Sequence, residues 1–299
     1  MDIRTLRHFV AVVQEEGISA ASDVLRMSQP ALSRQMKELE NELGVTLFER
    51  GNRGRSISLT KEGRVFYRRA RQIIELADRA RAEVHMHDEI AGTIHITAAE
   101  SNLMNIVALA IAQTRLLYPR ITFDIHDDNG PNNVERLNNG IADFAVIMQP
   151  IDMTRFDHLS LPGANPLGIG MRADDPIAAN ETITNELIRD MPLITSTGAN
   201  QRRDLSGWLT QGTTLNIVSH VNLAYNAACL VRNGVGYMLT VNDLTEFSDP
   251  EHDLVWRPLD PPLDIRLSVI WRKDRDLSRV CQLFLQQLRT VITQIRTAQ

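Results

Sequence analysis

Only two cysteines, Cys229 and Cys281, occur in 299 residues, too few for a fold held by disulfides and consistent with a reducing compartment. Both fall within apolar helical patterns, where a free thiol packs as a small hydrophobe. No apolar run reaches the ~18 residues of a membrane span. The opening Met1-Asp2-Ile3-Arg4 lacks the apolar stretch of a secretory signal, so the expected home is the cytoplasm, away from any membrane. Catalytic signatures are missing as well: no metal-ligand spacing, phosphate-cradling glycine loop or nucleophile elbow is present, and the eight histidines are scattered. His85 and His87, two apart, point to different sides of a helix. The expectation is therefore a chain with no metal, no cofactor and no turnover.

With 43% hydrophobic and 23% charged residues the chain is too apolar for disorder. Its length exceeds what one core usually fills, so two or three compact units are expected. The net charge of −5 is unevenly distributed. Residues 1–81 carry 15 Lys and Arg against 11 Asp and Glu, and residues 82–299 carry 17 against 26. Such asymmetry suggests that only the amino end meets a polyanion, although solvated faces produce the same imbalance.

Leu6, Phe9, Val10 and Val13 have the spacing of a helix with one buried face, and Gly17 permits a left-handed stop. Ser19 is a suitable cap for a second helix through about Arg26. After the turn at Met27-Ser28, a third helix opens with Ser28 as cap and Pro30 in its first turn. Its apolar stripe, Leu32, Met36, Leu39 and Leu43, pushes Pro30, Ser33, Arg34 and Lys37 to the opposite face. A short helix, a tight turn and a longer polar-faced helix make a helix-turn-helix, whose second helix reads the major groove from its amino end. Gln29, Ser33 and Arg34 are there; Gln pairs bidentately with adenine and Arg with guanine. From spacing alone, an ordinary surface helix with Arg34 paired to Glu38 remains open.

The next stretch favours the DNA reader. Leu43 to Phe48 is an apolar plug, Arg50-Gly51-Asn52-Arg53-Gly54-Arg55 places three arginines in a glycine-rich turn, and Ser56 to Thr60 alternates as a half-buried strand. These residues read as a β-hairpin wing whose Arg50, Arg53 and Arg55 reach phosphates or the minor groove.

The run Ser28-Gln29-Pro30-Ala31-Leu32-Ser33-Arg34-Gln35-Met36-Lys37-Glu38-Leu39-Glu40 closely resembles the DNA-binding domain of LysR-type transcriptional regulators. So do Leu43-Gly44, Leu47-Phe48-Glu49-Arg50 and Leu59-Thr60-Lys61-Glu62-Gly63. The pattern spreads over about 60 residues, far more than a short motif. The resemblance implies a winged helix-turn-helix at 1–60 that binds double-stranded promoter DNA through Ser28, Gln29, Pro30, Ala31, Ser33, Arg34, Lys37, Arg50, Arg53 and Arg55. One departure is Ala21-Ser22, where the family usually has paired alanines; a serine hydroxyl there is expected to bond back to its own helix.

Residues 61–91 contain no proline, and Gly63 is their only glycine within 62–91. Phe66, Ala70, Ile73, Ala77, Ala80, Val84, His87 and Ala91 recur at three- and four-residue steps, the seam of a helix that pairs with another helix. The stripe also suits packing on its own domain. The resemblance implies a linker helix that builds a homodimer, two dimers making a tetramer, and leaves contact with RNA polymerase open.

From Gly92 the pattern alternates strand and helix: strands at 94–98, 121–126 and 144–148, with helices marked by Leu103 to Leu117 and by Val134 to Gly140. A second unit has strands at 167–171, 193–195, 217–221 and 237–240 and helices near 203–209 and 223–233. Leu263 to Arg272 reads as a strand returning to the first unit, and Leu277 to Ile295 as a closing helix. The expected architecture at 92–299 is two Rossmann-like α/β lobes, about 92–161 with 263–299 and about 162–262, separated by a cleft. The resemblance adds that this is the effector domain of LysR-type regulators, built like a type 2 periplasmic binding protein.

Ligands of such sheets collect beyond the carboxyl ends of strands, at helix amino termini. Candidate effector residues there are Ser101, Asn102, Asp128, Asn129, Gly130, Gln149, Ser196, Thr197, Gly198 and Asn222; Ser101, Thr197 and Asn222 also serve as plain helix caps. The ring suits a small anion such as a carboxylate, with Glu100, Asp127 and Asp128 opposing one. Arg232 to Tyr237 matches the family's glycine pair, whereas Leu239-Thr240-Val241 and Asn105 lack frequent prolines. The expected function is transcriptional regulation in which an effector in the cleft modulates operator binding. A solute-binding protein is the competing reading; it predicts an export signal and no amino-terminal helix-turn-helix.

Overall fold

The computed structural model describes residues 1–50, 57–84, 90–148, 151–163, 165–197, 203–209, 214–244 and 253–298. The chain divides into two compact units, Met1–His87 and Asp88–Gln299.

In the first unit, helices α1 (Ile3–Gln14), α2 (Ile18–Val24) and α3 (Gln29–Leu43) precede a two-stranded hairpin, β1 (Phe48–Arg50) and β2 (Ile57–Leu59), and helix α4 (Lys61–Val84). Phe9 is fully buried at the centre, its ring 5.4 Å from Phe48, 5.0 Å from Phe66 and 6.4 Å from Tyr67. The α3 stripe closes on it with Leu32, Met36 and Leu39 buried. Gly44, at φ +69°, ends α3 in the left-handed region. Ser22, 4% exposed, donates its hydroxyl to Ser19 O at 2.7 Å, the back-bond expected of the serine that replaces alanine.

Two local expectations are corrected. The left-handed residue after α1 is Glu16 (φ 52°); Gly17 is extended and caps α2, which therefore starts at Ile18, ahead of Ser19. The α4 seam is not uniform either: Ala70 is fully buried and Phe66 packs beside it in the core of their own unit, because α4 lies along α1. Val65, Ile73 and Leu76 of the same helix stay 48%, 41% and 43% exposed, apolar side chains that its own unit leaves uncovered. His85 and His87 lie outside the described residues.

The second unit holds two sheets. The first has the order β4-β3-β5-β13-β6, formed by β3 (Gly92–Ala98), β4 (Ile121–Asp127), β5 (Phe144–Met148), β6 (Phe156–Ser160) and the late strand β13 (Leu267–Arg272). Strands β3, β4 and β5 are parallel; β13 runs antiparallel between β5 and β6. Helices α5 (Met104–Leu117), α6 (Gly130–Asn138) and α10 (Arg279–Ala298) pack on this sheet.

The second sheet has the order β10-β9-β11-β7-β12-β8. It comprises β7 (Leu167–Arg172), β8 (Ile183–Thr184), β9 (Leu193–Ser196), β10 (Ile217–Val221), β11 (Tyr237–Val241) and β12 (Leu254–Asp260), with helices α7 (Asn185–Arg189), α8 (Arg203–Trp208) and α9 (Ala224–Arg232). The chain crosses between the sheets twice, and the crossings run side by side: Leu167 N donates to Leu263 O at 2.8 Å and Ile265 N to Asn165 O at 2.9 Å. The strand expected from Leu263 accordingly begins only at Leu267, since its first residues belong to the crossing.

Candidate functional site

The amino end of α3 is presented by what α3 buries. With Leu32, Met36 and Leu39 turned inward, Ser28, Gln29, Pro30, Ala31, Arg34 and Lys37 are exposed and Ser33 is half-buried. Ser28 occupies the cap position without a side-chain bond to the helix. Polar ties fix the helix: the buried His8 Nδ1 meets Gln35 Oε1 at 2.6 Å, and Gln35 Nε2 donates to Thr5 Oγ1 at 3.1 Å, joining α3 to α1.

The hairpin is latched to the same helix. Glu40 Oε1 accepts from Leu47 N (2.7 Å) and Phe48 N (3.2 Å), so a carboxylate on α3 holds the root of β1. Thr60 N donates to Leu47 O at 3.0 Å, and Thr60 Oγ1 accepts from Gly63 N at 2.8 Å, which ties the hairpin to the start of α4. Arg50 lies in β1 opposite Ile57; Arg53 and Arg55 lie outside the described residues.

In the second unit a cavity of about 410 Å³ opens between the two sheets, a volume within the range of small-molecule sites. Of the expected residues, Asp128, Asn129, Gly130, Ser196, Thr197 and Asn222 line it. Gln149 and Gly198 lie outside the described residues. Ser101 and Asn102 are not in its lining: Ser101 Oγ donates to Asn165 Oδ1 (3.1 Å) and accepts from Leu103 N (3.1 Å) at a crossing strand, while Asn102 Nδ2 donates to Asp243 Oδ2 (3.0 Å). Sequence reasoning did not reach the apolar walls, among them Val134, Met148, Leu205, Val221 and Leu239, because they come from five separate elements.

The polar end of the cavity is built from strand ends. Asp128 N donates to Ala98 O at 3.0 Å, which brings the ends of β3 and β4 together. Thr97 donates its hydroxyl to Asn133 Oδ1, both side chains being fully buried, and Asn133 Nδ2 donates to Asp128 O at 2.9 Å, which pins α6 there. Helix α6 is capped by Asn129, whose side chain accepts from Asn132 N at 3.1 Å. Asn222 is not the cap of α9. That position is Leu223, which has no side-chain acceptor, and the first amide of the helix, Ala224 N, donates instead to Glu100 Oε2 at 2.6 Å. At α9 the helix end is therefore met by a carboxylate of the chain itself, and Asp128 stands beside the start of α6, accepting from Asn129 N and Asn132 Nδ2 at 2.8 Å each.

Beyond the lining, Tyr237 on β11 donates its hydroxyl to Asp175 Oδ2 at 2.8 Å; burial, then that hydrogen bond to a carboxylate, pushes the phenol up to about 12. Among the described residues no group of three or more His, Cys, Asp and Glu is arranged to hold a metal ion, and no helix is long and apolar enough to cross a membrane.

Comparison with known proteins agrees with this division. Residues 3–64 match the model of bacterial regulatory helix-turn-helix proteins of the lysR family, and residues 87–293 match the LysR substrate binding domain. The HTH-type transcriptional regulator BsdA of Bacillus subtilis is 30% identical over 95% of this chain and 99% of its own. The Hca operon transcriptional activator HcaR of Escherichia coli is 26% identical over 91% and 92%. The crystal structure of CbnR, a LysR family transcriptional regulator, shares the fold with a TM-score of 0.73 at 21% identity, covering 98% of this chain and 99% of that one. A helix-turn-helix unit with its hairpin, a two-sheet unit with a cavity and family models spanning both place this chain in the LysR family of DNA-binding transcriptional regulators.

Proposed function

We propose that residues 1–60 read double-stranded promoter DNA, that 61–91 link and dimerise two copies, and that 92–299 sense a small molecule whose binding modulates the DNA contact. The observation that carries the DNA assignment is the exposure of Gln29, Arg34 and Lys37 at the amino end of α3 above a buried stripe, with Ser33 beside them. Those side-chain types suit base edges and phosphates in the major groove. Full-length CbnR has been crystallised with its target DNA, which supports the same use here. Arg53 and Arg55 extend the contact to the backbone or minor groove in this reading.

One recognition helix reads too few bases, and a pair addresses a pseudo-palindrome. Exposed Val65, Ile73 and Leu76 on α4 suit the pairing of two copies. The sensing unit carries a second apolar surface, Leu109, Leu116 and Leu117 on α5 with Ile125 on the edge strand β4, and its burial would extend a dimer to a tetramer. In this reading the protein acts at promoters in the cytoplasm, where contact with RNA polymerase stays open.

For the effector, the proposal is population shift. A ligand held between two lobes moves their equilibrium only by its differential affinity for the two arrangements, and the lobes in turn reset the spacing of the DNA readers. Fluorescence anisotropy on a promoter fragment tests the reader. Arg34→Ala should weaken binding by about 5–150-fold per half-site, the equivalent of about 1–3 kcal/mol for one bidentate base contact. Unchanged affinity in both Arg34→Ala and Lys37→Ala would refute it.

A further inference from the structure

The hairpin of the first unit is too small to set its own direction. Its strands β1 and β2 pair at three positions, Phe48 with Leu59, Glu49 with Ser58 and Arg50 with Ile57. A lone two-stranded hairpin is marginal in water, so its angle to α3 depends on what grips its root. Leu47 is fully buried, and the Phe48 ring lies 5.4 Å from that of Phe9. Such apolar contacts hold the root in the core, but they are non-directional.

The directional grip comes from Glu40, in the last turn of α3. Gly44, at φ +69°, turns the chain back, Val45 N donates to Glu40 O at 3.2 Å, and the next two amides reach the side chain. Leu47 N (2.7 Å) and Phe48 N (3.2 Å) both donate to Glu40 Oε1. Two successive amides on one carboxylate oxygen fix the tilt and the twist of β1 against α3, through charge-assisted bonds. The returning strand closes on the same segment. Thr60 N donates to Leu47 O (3.0 Å), and Thr60 Oγ1 donates to Thr46 O (2.7 Å) while accepting from Gly63 N (2.8 Å). Recognition helix, hairpin root and the start of α4 are thus joined by one run of hydrogen bonds that begins at Glu40.

Resting on the reading of α3 as the major-groove reader and of the hairpin as the part that reaches the backbone or minor groove, we infer that Glu40 is a positioning residue for DNA recognition. Its carboxylate sets the offset between the two contacts, so that helix and wing engage the duplex together. With the offset preset, the second contact pays no separate ordering cost. Without it the wing samples many directions and binds independently. The sign of the charge separates this role from a direct one. A carboxylate near a polyanion opposes binding, so electrostatics alone makes its removal neutral or favourable. Positioning makes the same removal harmful.

The test is dimethyl sulfate footprinting of the full chain on a duplex that the unmodified chain selects from a random-sequence pool. The reagent reports guanine N7 in the major groove and adenine N3 in the minor groove, so it follows both contacts at once. The unmodified chain should protect both at the same protein concentration. Glu40→Leu, which fills similar space without an acceptor, should weaken binding about tenfold or more although it removes a negative charge, given the worth of hydrogen bonds to a charged group. In that variant adenine protection should lag well behind guanine protection. Glu40→Gln, which keeps an acceptor oxygen for Leu47 N and Phe48 N, should restore joint protection. Thermal unfolding is followed alongside, since partial unfolding lowers both protections equally. Should Glu40→Leu not fold, Thr60→Val, which removes the hydroxyl between Thr46 O and Gly63 N, should separate the two protections in the same way. Joint protection at unchanged affinity in Glu40→Leu, a parallel loss in both grooves, or Glu40→Gln no better than Glu40→Leu overturns the inference while leaving the DNA reader standing. Guanine protection without adenine protection in the unmodified chain overturns the hairpin's assigned contact and the inference with it. Absence of guanine protection overturns the reading of α3 itself.

Discussion

Gly63 joins the wing to the linker helix, and adding one methyl group there should cost the reader more than its size suggests. An alanine Cβ at 63 would stand 2.1 Å from Leu47 O and 3.0 Å from Leu59 Cδ2. The carbonyl is backbone, so it has to retreat by roughly an ångström in a close-packed region. That carbonyl accepts from Thr60 N at 3.0 Å and from Thr60 Oγ1 at 3.3 Å. Overpacking costs about 1–3 kcal/mol and each weakened bond about 1 kcal/mol, giving about 2–5 kcal/mol in all. For a unit of this size each kcal/mol lowers the melting temperature by about 4–8 °C, so Gly63→Ala should lower the amino-terminal transition by about 10 °C or more. Gly44→Ala is the control. Gly44 has φ +69° with nothing within 4 Å of an added Cβ, so its cost is backbone strain alone, about 1–2 kcal/mol. Differential scanning calorimetry of the full chain, with DNA affinity measured alongside, separates the two. A Gly63→Ala variant no less stable than Gly44→Ala would refute the reasoning.

Lys37→Ala should weaken DNA binding evenly across sequences and reduce the slope of log affinity against log salt by about 1 per copy, as expected for one lost phosphate contact; a sequence-dependent loss with unchanged slope would contradict that role. Leu76→Glu, at a position 43% exposed, should shift the chain toward monomer in sedimentation velocity and make its melting temperature less dependent on protein concentration; an unchanged dimer would move the interface elsewhere. Tyr237 should ionise well above the ordinary phenol range in an absorbance titration at alkaline pH, a late step that Tyr237→Phe removes. Its folded value is raised, so the stability it lends is complete below the ordinary phenol value near ~10 and is lost as pH rises through about 12; Tyr237→Phe should remove that dependence, and an absorbance titration that the substitution leaves unchanged above pH ~11 would contradict the hydrogen bond to Asp175.

Much of the fold was legible because its strands and helices obey simple periods. The buried run Phe144 to Met148 and the amphipathic α9 and α10 announce themselves. Strand β12 does not: it carries Pro258, which is tolerated because its outer neighbour β8 is only two residues long and pairs at Leu259 and Asp260. Strand β6, Phe156–Ser160, lies at a sheet edge, and its mostly exposed polar residues give no alternation to read. Helix α6 begins at Gly130, four residues before the sequence suggested, because Pro131 fits its first turn.

The recognition helix was legible for a different reason, since burying Leu32, Met36 and Leu39 dictates which residues face outward. The cavity was legible only as a set of strand ends. That Glu100 caps α9 in place of a local residue depends on two segments 124 residues apart meeting across the cleft, and no local pattern encodes that. Ser101 and Asn102 have the right chemistry at a strand end and are nonetheless drawn to Asn165 and Asp243 at the crossing.

The central claim is that two copies of α3 lie in successive major-groove faces of a promoter. Dimethyl sulfate footprinting of the full chain on such a fragment reads it directly, since the reagent reports guanine N7 in the major groove. The account predicts two protected patches separated by about one or more whole helical turns, both lost in Arg34→Ala. A single patch, or protection unchanged by that substitution, would contradict it.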